Sequence, residues 1–410
     1  MTREDMAALD AADTLAPVRA QFSLPAGVVY LDGNSLGALP VATPARVAGL
    51  VAREWGEGLI RSWNDAGWMD LPGRVAGKIG RLIGAPEGSV MVADSTSVNL
   101  FKVLGAALAA RPGRRVILSE RGNFPTDLYI AEGLAALLGR GHELRLVEAG
   151  EVAAAIDGDT AVVMLTHVNY HTGAMFDMAA VTAAAHAQGA LMLWDLAHSA
   201  GAVPVDLAGC DADFAVGCGY KFLNGGPGAP AFLYVAERLL PEVRFPLTGW
   251  LGHAAPFAFE HAYRPAPGIA AATVGTPPML SLAALEVGVD IALSVDMAAV
   301  RAKSVAQTAC FADLVAARCA GHGLVLASPA EADRRGSQVC FAHPEAYPIM
   351  QALIARGVIG DFRAPDILRF GITPLYLRFV DLWDAVEVLR DVLASGEWRQ
   401  PRFAVRQKVT

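Results

Sequence analysis

The sequence predicts an α/β protein: a large domain built on a mixed, mostly parallel sheet, followed by a smaller α/β domain. Three observations predict it. Short apolar runs recur through the middle of the chain, namely SVMVAD, RRVILSE, ELRLVEA, TAVVMLTHV, ALMLWDLA, DFAVGCG and APAFLYVA. Many are rich in Val, Ile, Leu and Phe, as strands buried on both faces are. Helix-like segments separate several of them, among them NLFKVLGAALAARPG, TDLYIAEGLAALLGRG and MAAVTAAAHAQG, and strand–helix–strand repetition argues for parallel pairing. Finally, 410 residues are too many for one ordinary core.

Taken in order, residues 1–50 form an extended, turn-rich arm around VVYLDGNSLGALP, expected to join the small domain. Residues 51–285 form the large domain. Its last two strands, DFAVGCG and APAFLYVA, have no helix between them, only a glycine-rich stretch, so they are expected to pair antiparallel. Residues 286–410 form the small domain. A long helical region from Pro278 to Gly323 bridges the two. After it come SQVCFAHP, the helix AYPIMQALIARG, extended pieces around VIGDFR and ILRFGITPLY, and a last helix LWDAVEVLRDVLASG.

Composition excludes several classes. Hydrophobic residues make up 54% and charged residues 18%, which is not a disordered composition. Formal net charge is −8 with no Lys or Arg run, so no nucleic-acid partner is expected. The apolar runs are too short to span a bilayer, and the acidic start MTREDMAALDAADTLAP does not read as a signal peptide. Five cysteines with no CxxC pair read as reduced thiols, which predicts a cytoplasmic protein without a metal site.

Three segments carry candidate chemistry. In SVMVADSTSVNLFKVLGAAL a strand turns into a helix at Ser95, Thr96 and Ser97. Free N–H groups there suit an anion, although Ser and Thr are also the usual N-caps. In LWDLAHSAG, Asp195 ends a strand with His198 three residues later. It faces a ligand crevice or merely caps a helix. In GYKFLNGGPG, Lys221 follows Tyr220 at the end of an apolar run. A desolvated lysine attacks carbonyls, whereas a loop lysine at the surface does nothing. The combination is more specific than its parts. A phosphate cradle, an Asp at a strand end and a Lys on a later strand are what pyridoxal phosphate needs.

The order of these segments resembles the fold-type I pyridoxal-phosphate enzymes, and within them the kynureninase family. YLDGNSLG, STSVNL, FPTD, DLAHSAGAVPVDL and GYKFLNGGPG carry the resemblance, with GWLGH and LRFGITPLY in support, from Tyr30 to Tyr376. The resemblance implies pyridoxal 5'-phosphate on Lys221, Asp195 on its pyridine nitrogen with His198 beside it, and Thr96 and Ser97 on its phosphate. It implies that Phe124 stacks on the ring and that Asp127 lies near the ring's face or nitrogen. Tyr220 is expected at the phosphate with an acid–base role, and Thr172 near the ring. Trp250 and Thr276 would be supplied across a homodimer interface. Arg369 would clamp the substrate α-carboxylate, with Asn34 and Ser35 also at the substrate. Trp63, Gly275 and Thr276 match the bacterial pocket that favours L-kynurenine over its 3-hydroxy form. The implied reaction cleaves the Cβ–Cγ bond of L-kynurenine to give anthranilate and L-alanine, in tryptophan catabolism.

Two rival readings stand against this one. A cysteine desulfurase or class V aminotransferase shares the fold, but desulfurases carry a His before the lysine and a Cys in a mobile loop. Here the neighbour is Tyr220, and no Cys sits in a Gly-rich loop of that kind. A non-catalytic binder would not need Lys221, Asp195 and Arg369 together.

Overall fold

A computed structural model describes residues 1–407. Seven strands form the large sheet: β1 Val90–Val92, β2 Val116–Glu120, β3 Glu143–Val147, β4 Thr160–Thr166, β5 Leu191–Asp195, β6 Phe214–Gly217 and β7 Phe232–Val235. Their spatial order is β1-β7-β6-β5-β4-β2-β3. Pairs β3–β2, β2–β4, β4–β5 and β5–β6 are parallel, while β7 runs antiparallel to both β6 and β1. The expected antiparallel piece is therefore β6–β7. The glycine-rich link makes it possible, because Gly226 and Gly228 adopt φ of 80° and 75°.

Helices α1 Leu71–Leu82, α2 Thr96–Ala110, α3 Pro125–Leu138 and α4 Met178–Ala187 flank this sheet. Two separate apolar clusters cover its faces. One includes Leu118, Val163, Met192 and Trp194, the other Ile117, Val162, Met164 and Leu193. Alternate residues of the same strands point to opposite faces, and both faces are dry, so the strands read as continuous hydrophobic runs.

The bridging region is two helices, α5 Met279–Leu293 and α6 Met297–Arg318. Asp296 breaks them apart by capping α6, accepting from the Ala298 N–H at 2.9 Å. Helix α5 packs mainly into the large-sheet cluster (Leu282, Leu285, Val289), and α6 into a third cluster (Val300, Phe311, Leu314). That third cluster also contains Met6, Leu15, Phe22 and Leu31 from the arm. The arm is less extended than expected, since it opens with a helix, Arg3–Ala11, closed by a capping box between Thr2 and Asp5.

The second sheet has strands β8 Val325–Leu326, β9 Gln338–Ala342, β10 Asp361–Arg363 and β11 Ile367–Gly371, in the order β8-β9-β11-β10, all antiparallel. Val339, Phe341, Leu368 and Phe370 face the third cluster and the helices α7 Ala346–Ala355 and α8 Phe379–Ser395. The alternation places Gln338, Arg369 and Asp361 on the opposite face, toward the large domain. No helix among the described residues is long and apolar enough to cross a membrane.

Candidate active site

The carboxyl ends of β1, β2, β4, β5 and β6 open into one cavity of about 420 Å³, within the usual range for small-molecule sites. After β1, Ser95 is the N-cap of α2 and accepts from the Val98 N–H at 3.3 Å. Thr96 and Ser97, in the first turn, line the cavity. Different residues thus satisfy the two readings of this segment, Ser95 as cap and its neighbours as an anion cradle at a helix N-terminus.

After β2, the Asn123 side chain ties the turn by donating to Ser119 Oγ (2.9 Å) and accepting from the Phe124 N–H (2.7 Å). Phe124 then meets Tyr170 edge-on at 5.2 Å, leaving its ring at the cavity wall. In the first turn of α3, Asp127 is buried with neither carboxylate oxygen hydrogen-bonded to the protein. Thr166 Oγ1, at the end of β4, is likewise buried without a partner. After β5, Asp195 accepts from the Ala197 N–H at 2.7 Å. Burial pushes both carboxyls up, Asp127 well above its ordinary value, and the charge of Asp195 adds to the rise at Asp127.

Lys221 lies beyond β6, not on the strand as expected. Backbone bonds fix the turn: the Asn224 N–H donates to the Lys221 carbonyl (2.9 Å) and the Gly225 N–H to Gly219 (2.9 Å). The arm reinforces it, since the Gly37 N–H donates to the Tyr220 carbonyl at 2.8 Å. A Cβ on Gly37 would lie 2.3 Å from the Lys221 carbonyl oxygen. The Lys221 ammonium reaches His198 Nε2 at 3.0 Å and stands 5.9 and 5.8 Å from the Phe124 and Tyr220 ring centres. Burial lowers its pKa, Asp195 opposes that shift, and Arg369 and Arg363 add to it. Burial drives His198 well below its usual value, helped by the Lys221 charge. Burial also raises the phenol of Tyr220 and the thiol of Cys218, so both keep their protons.

The donor set fits pyridoxal phosphate. An enclosed carboxylate with no hydrogen bond suits a protonated ring nitrogen, Phe124 offers a ring face, and a helix N-terminus with two hydroxyls suits a phosphate.

Other expected residues fall outside this cavity. Arg369 is 1% exposed and grips Asp361 with Nε (2.8 Å) and Nη2 (2.5 Å). It also donates to the Tyr170 carbonyl (2.8 Å) and to Ser35 Oγ (2.8 Å). Ser35 bonds Asp361 at 2.9 Å, so the serine completes the arginine's fork. Burial would raise Asp361, but the Arg369 charge overrides it and holds the carboxyl below its ordinary value. Asn34 is buried and donates to Gln338 Oε1 at 3.3 Å. Thr172 closes a turn with Asn169 and does not line the cavity. Trp63, Gly275 and Thr276 line an adjacent hollow of about 300 Å³ that shares Asp94 with the first. Trp250 is 42% exposed and packs on Phe257.

The sequence reading missed Tyr170, Asp361, Arg363 and Gln338. Tyr170 carried a weak signal, lying four residues past a parallel strand's end. The other three sit within short small-domain strands and have none. The two most specific motifs, YLDGNSLG and GYKFLNGGPG, touch through Gly37, where a side chain would strike the Lys221 carbonyl.

Comparisons with known proteins bear on the family and the fold. Residues 300–389 match the kynureninase C-terminal domain model, and residues 78–213 match the DegT/DnrJ/EryC1/StrS aminotransferase family. Kynureninases of Burkholderia pseudomallei, Pseudomonas fluorescens and Burkholderia mallei are each 58% identical to this chain, covering 100% of both sequences. Among solved structures, a cysteine desulfurase from Thermococcus onnurineus is similar at TM-score 0.78 and 17% identity, covering 92% of this chain and 98% of its own. A C-DES mutant with glycine covalently linked to the PLP cofactor reaches TM-score 0.78 at 18% identity, covering 91% of this chain and 99% of its own. At such identities these structures speak for the fold alone.

Proposed function

The chain belongs to the kynureninase family, and on that premise we propose how its residues hydrolyse L-kynurenine to anthranilate and L-alanine. The observation that carries the reading is the convergence of Lys221, Asp195, Asp127 and the Thr96–Ser97 helix start on one cavity. Bound there, pyridoxal phosphate supplies the electron sink that makes the substrate's α-carbon acidic and its Cβ–Cγ bond cleavable.

The protein's residues do the rest. Lys221 would hold the cofactor and, when free of it, would carry the substrate's α-proton. A lysine lowered by burial is suited to accept it. Asp195 and Asp127 would hold a protonated ring nitrogen, for which the unbonded Asp127 carboxyl is suited. Thr96, Ser97 and the α2 N-terminus would bind its phosphate, and Phe124 would cover its ring.

Water adds to the γ-ketone. The Cβ–Cγ bond then breaks, the carbonyl carbon leaves as the anthranilate carboxylate, and Cβ takes a proton to become the alanine methyl. We assign proton handling at this step to Tyr220. Its raised phenol makes it a donor first, and it acts as a base only beside an anion that takes its proton.

Arg369 meets the substrate α-carboxylate with support from charge. Arg369 and Arg363 face one firmly ionised acid, Asp361, because burial and Asp361 push the Asp32 carboxyl up to about 7. The surplus positive charge suits a second carboxylate. Asn34 and Ser35 support that seam.

We place Trp63, Gly275 and Thr276 at the substrate's aryl ring and Trp250 at the cofactor of a second copy. This makes a homodimer the working unit, with L-kynurenine preferred and its 3-hydroxy form as a second substrate. The separate hollow and the exposed Trp250 support this assignment. Five unpaired thiols support a cytoplasmic setting. The discriminating assay incubates purified protein and pyridoxal phosphate with L-kynurenine or with cysteine. Anthranilate fluorescence with the first is expected. Alanine from cysteine alone would overturn the reading.

A further inference from the structure

Gln338 stands on β9 of the small domain, yet all its side-chain bonds but one lead out of its sheet. Its Nε2 donates to the carbonyls of Asn169 (3.3 Å) and Tyr170 (3.2 Å), in the loop after β4. Its Oε1 lies 3.0 Å from His198 Nδ1 and accepts from Asn34 at 3.3 Å. The remaining contact is a weak one to Cys340 Sγ at 3.7 Å. Side-chain amides are oriented by their partners, and two carbonyl oxygens leave no choice here. The reverse orientation would set Oε1 against both. Oε1 therefore faces His198.

An amide oxygen only accepts, so His198 Nδ1 must carry the proton. His198 is buried, and burial beside Lys221 keeps the imidazole neutral. A neutral imidazole has one N–H. The other nitrogen, Nε2, is then a bare lone pair, and it is the atom 3.0 Å from Lys221 Nζ. A lysine that donates one N–H to His198 directs its remaining N–H bonds elsewhere, and so also the lone pair that appears when one of those protons leaves.

We propose that Gln338 is a positioning residue that fixes His198 as the Nδ1–H tautomer, so that His198 accepts from Lys221 and orients the lysine's nitrogen. The functional part rests on the role given to Lys221 above; the tautomer does not. The Tyr170 carbonyl that anchors Gln338 also accepts from Arg369 at 2.8 Å. The same seam thus joins the small-domain arginine to the large-domain lysine.

The test is a histidine-nitrogen NMR spectrum of the full chain, recorded with pyridoxal phosphate bound and after its removal. The wild type should show His198 protonated at Nδ1 and bare at Nε2. Gln338→Glu also accepts at Nδ1 and should keep that pattern. Gln338→Met should move the proton to Nε2 or mix the tautomers. Both variants lose the two bonds to carbonyls, so a merely structural role would move them alike.

Under saturating L-kynurenine, Gln338→Met should lower kcat about tenfold or more, and Gln338→Glu less. Protonated Nε2 in the wild type, or an unchanged pattern in Gln338→Met, overturns the proposal. The spectrum needs no turnover. A chain that shows this tautomer but cleaves no kynurenine would reject the proposed reaction and keep the assignment of Gln338.

Discussion

The large and small sheets supply the site in different ways. The large, mostly parallel sheet delivers Thr96, Asp127, Asp195 and Lys221 at or beyond its strand ends, and it leaves Asp127 without a hydrogen bond. The antiparallel sheet delivers Gln338, Arg369 and Asp361 from within its strands, already bonded to one another or to the seam. The first region leaves a buried carboxyl with no hydrogen bond from the protein, which costs stability. The second is nearly complete in the protein alone, so it positions and supplies charge.

The largest expected effect breaks the first region. Lys221→Ala should abolish turnover and the visible absorbance of the bound cofactor, as measured by spectrum and anthranilate release. Protein that stays colourless with added pyridoxal phosphate, even with Lys221 present, would reject the cofactor site.

Next comes the second region. Arg369→Ala leaves Asp361 with fewer partners, and breaking a buried pair typically costs ~3–5 kcal/mol. Arg369→Lys keeps charge but loses the fork, so the fold should survive while KM for L-kynurenine rises roughly tenfold or more. Denaturant melts and steady-state kinetics check both. An unchanged KM in Arg369→Lys removes the carboxylate role.

A smaller effect tests the contact between arm and lysine turn. Gly37→Ala puts a methyl against the Lys221 carbonyl backbone, which cannot rotate away, at an expected cost of about 1–3 kcal/mol. Activity should fall with it. A variant with wild-type stability would show that the arm yields.

The smallest has the opposite sign. In cofactor-free protein, Asp127→Asn should stabilise by about 1 kcal/mol near neutral pH. A carboxyl raised in the fold contributes stability below its unfolded value and loses it as pH rises toward the folded value. Asn has no proton to lose. The gain in Tm should therefore vanish toward acid pH. A pH-independent difference would assign it to packing.

What the sequence by itself determined was local. Apolar runs and alternating helices marked the large sheet, because a strand buried on both faces leaves an unbroken hydrophobic signature. Strand ends marked Asp195 and the Ser95–Ser97 turn, because α/β sheets open there, and motif resemblance covered Lys221 and Arg369. Only the tertiary structure decided that Gly37 abuts Lys221, that Asp361 holds Arg369, and that Gln338 reaches His198 from 140 residues away. These are contacts between side chains or backbones brought together by the packing of two sheets and an arm. A glutamine on a short strand looks the same in sequence whether it faces solvent or the catalytic lysine, since what distinguishes it is its neighbours.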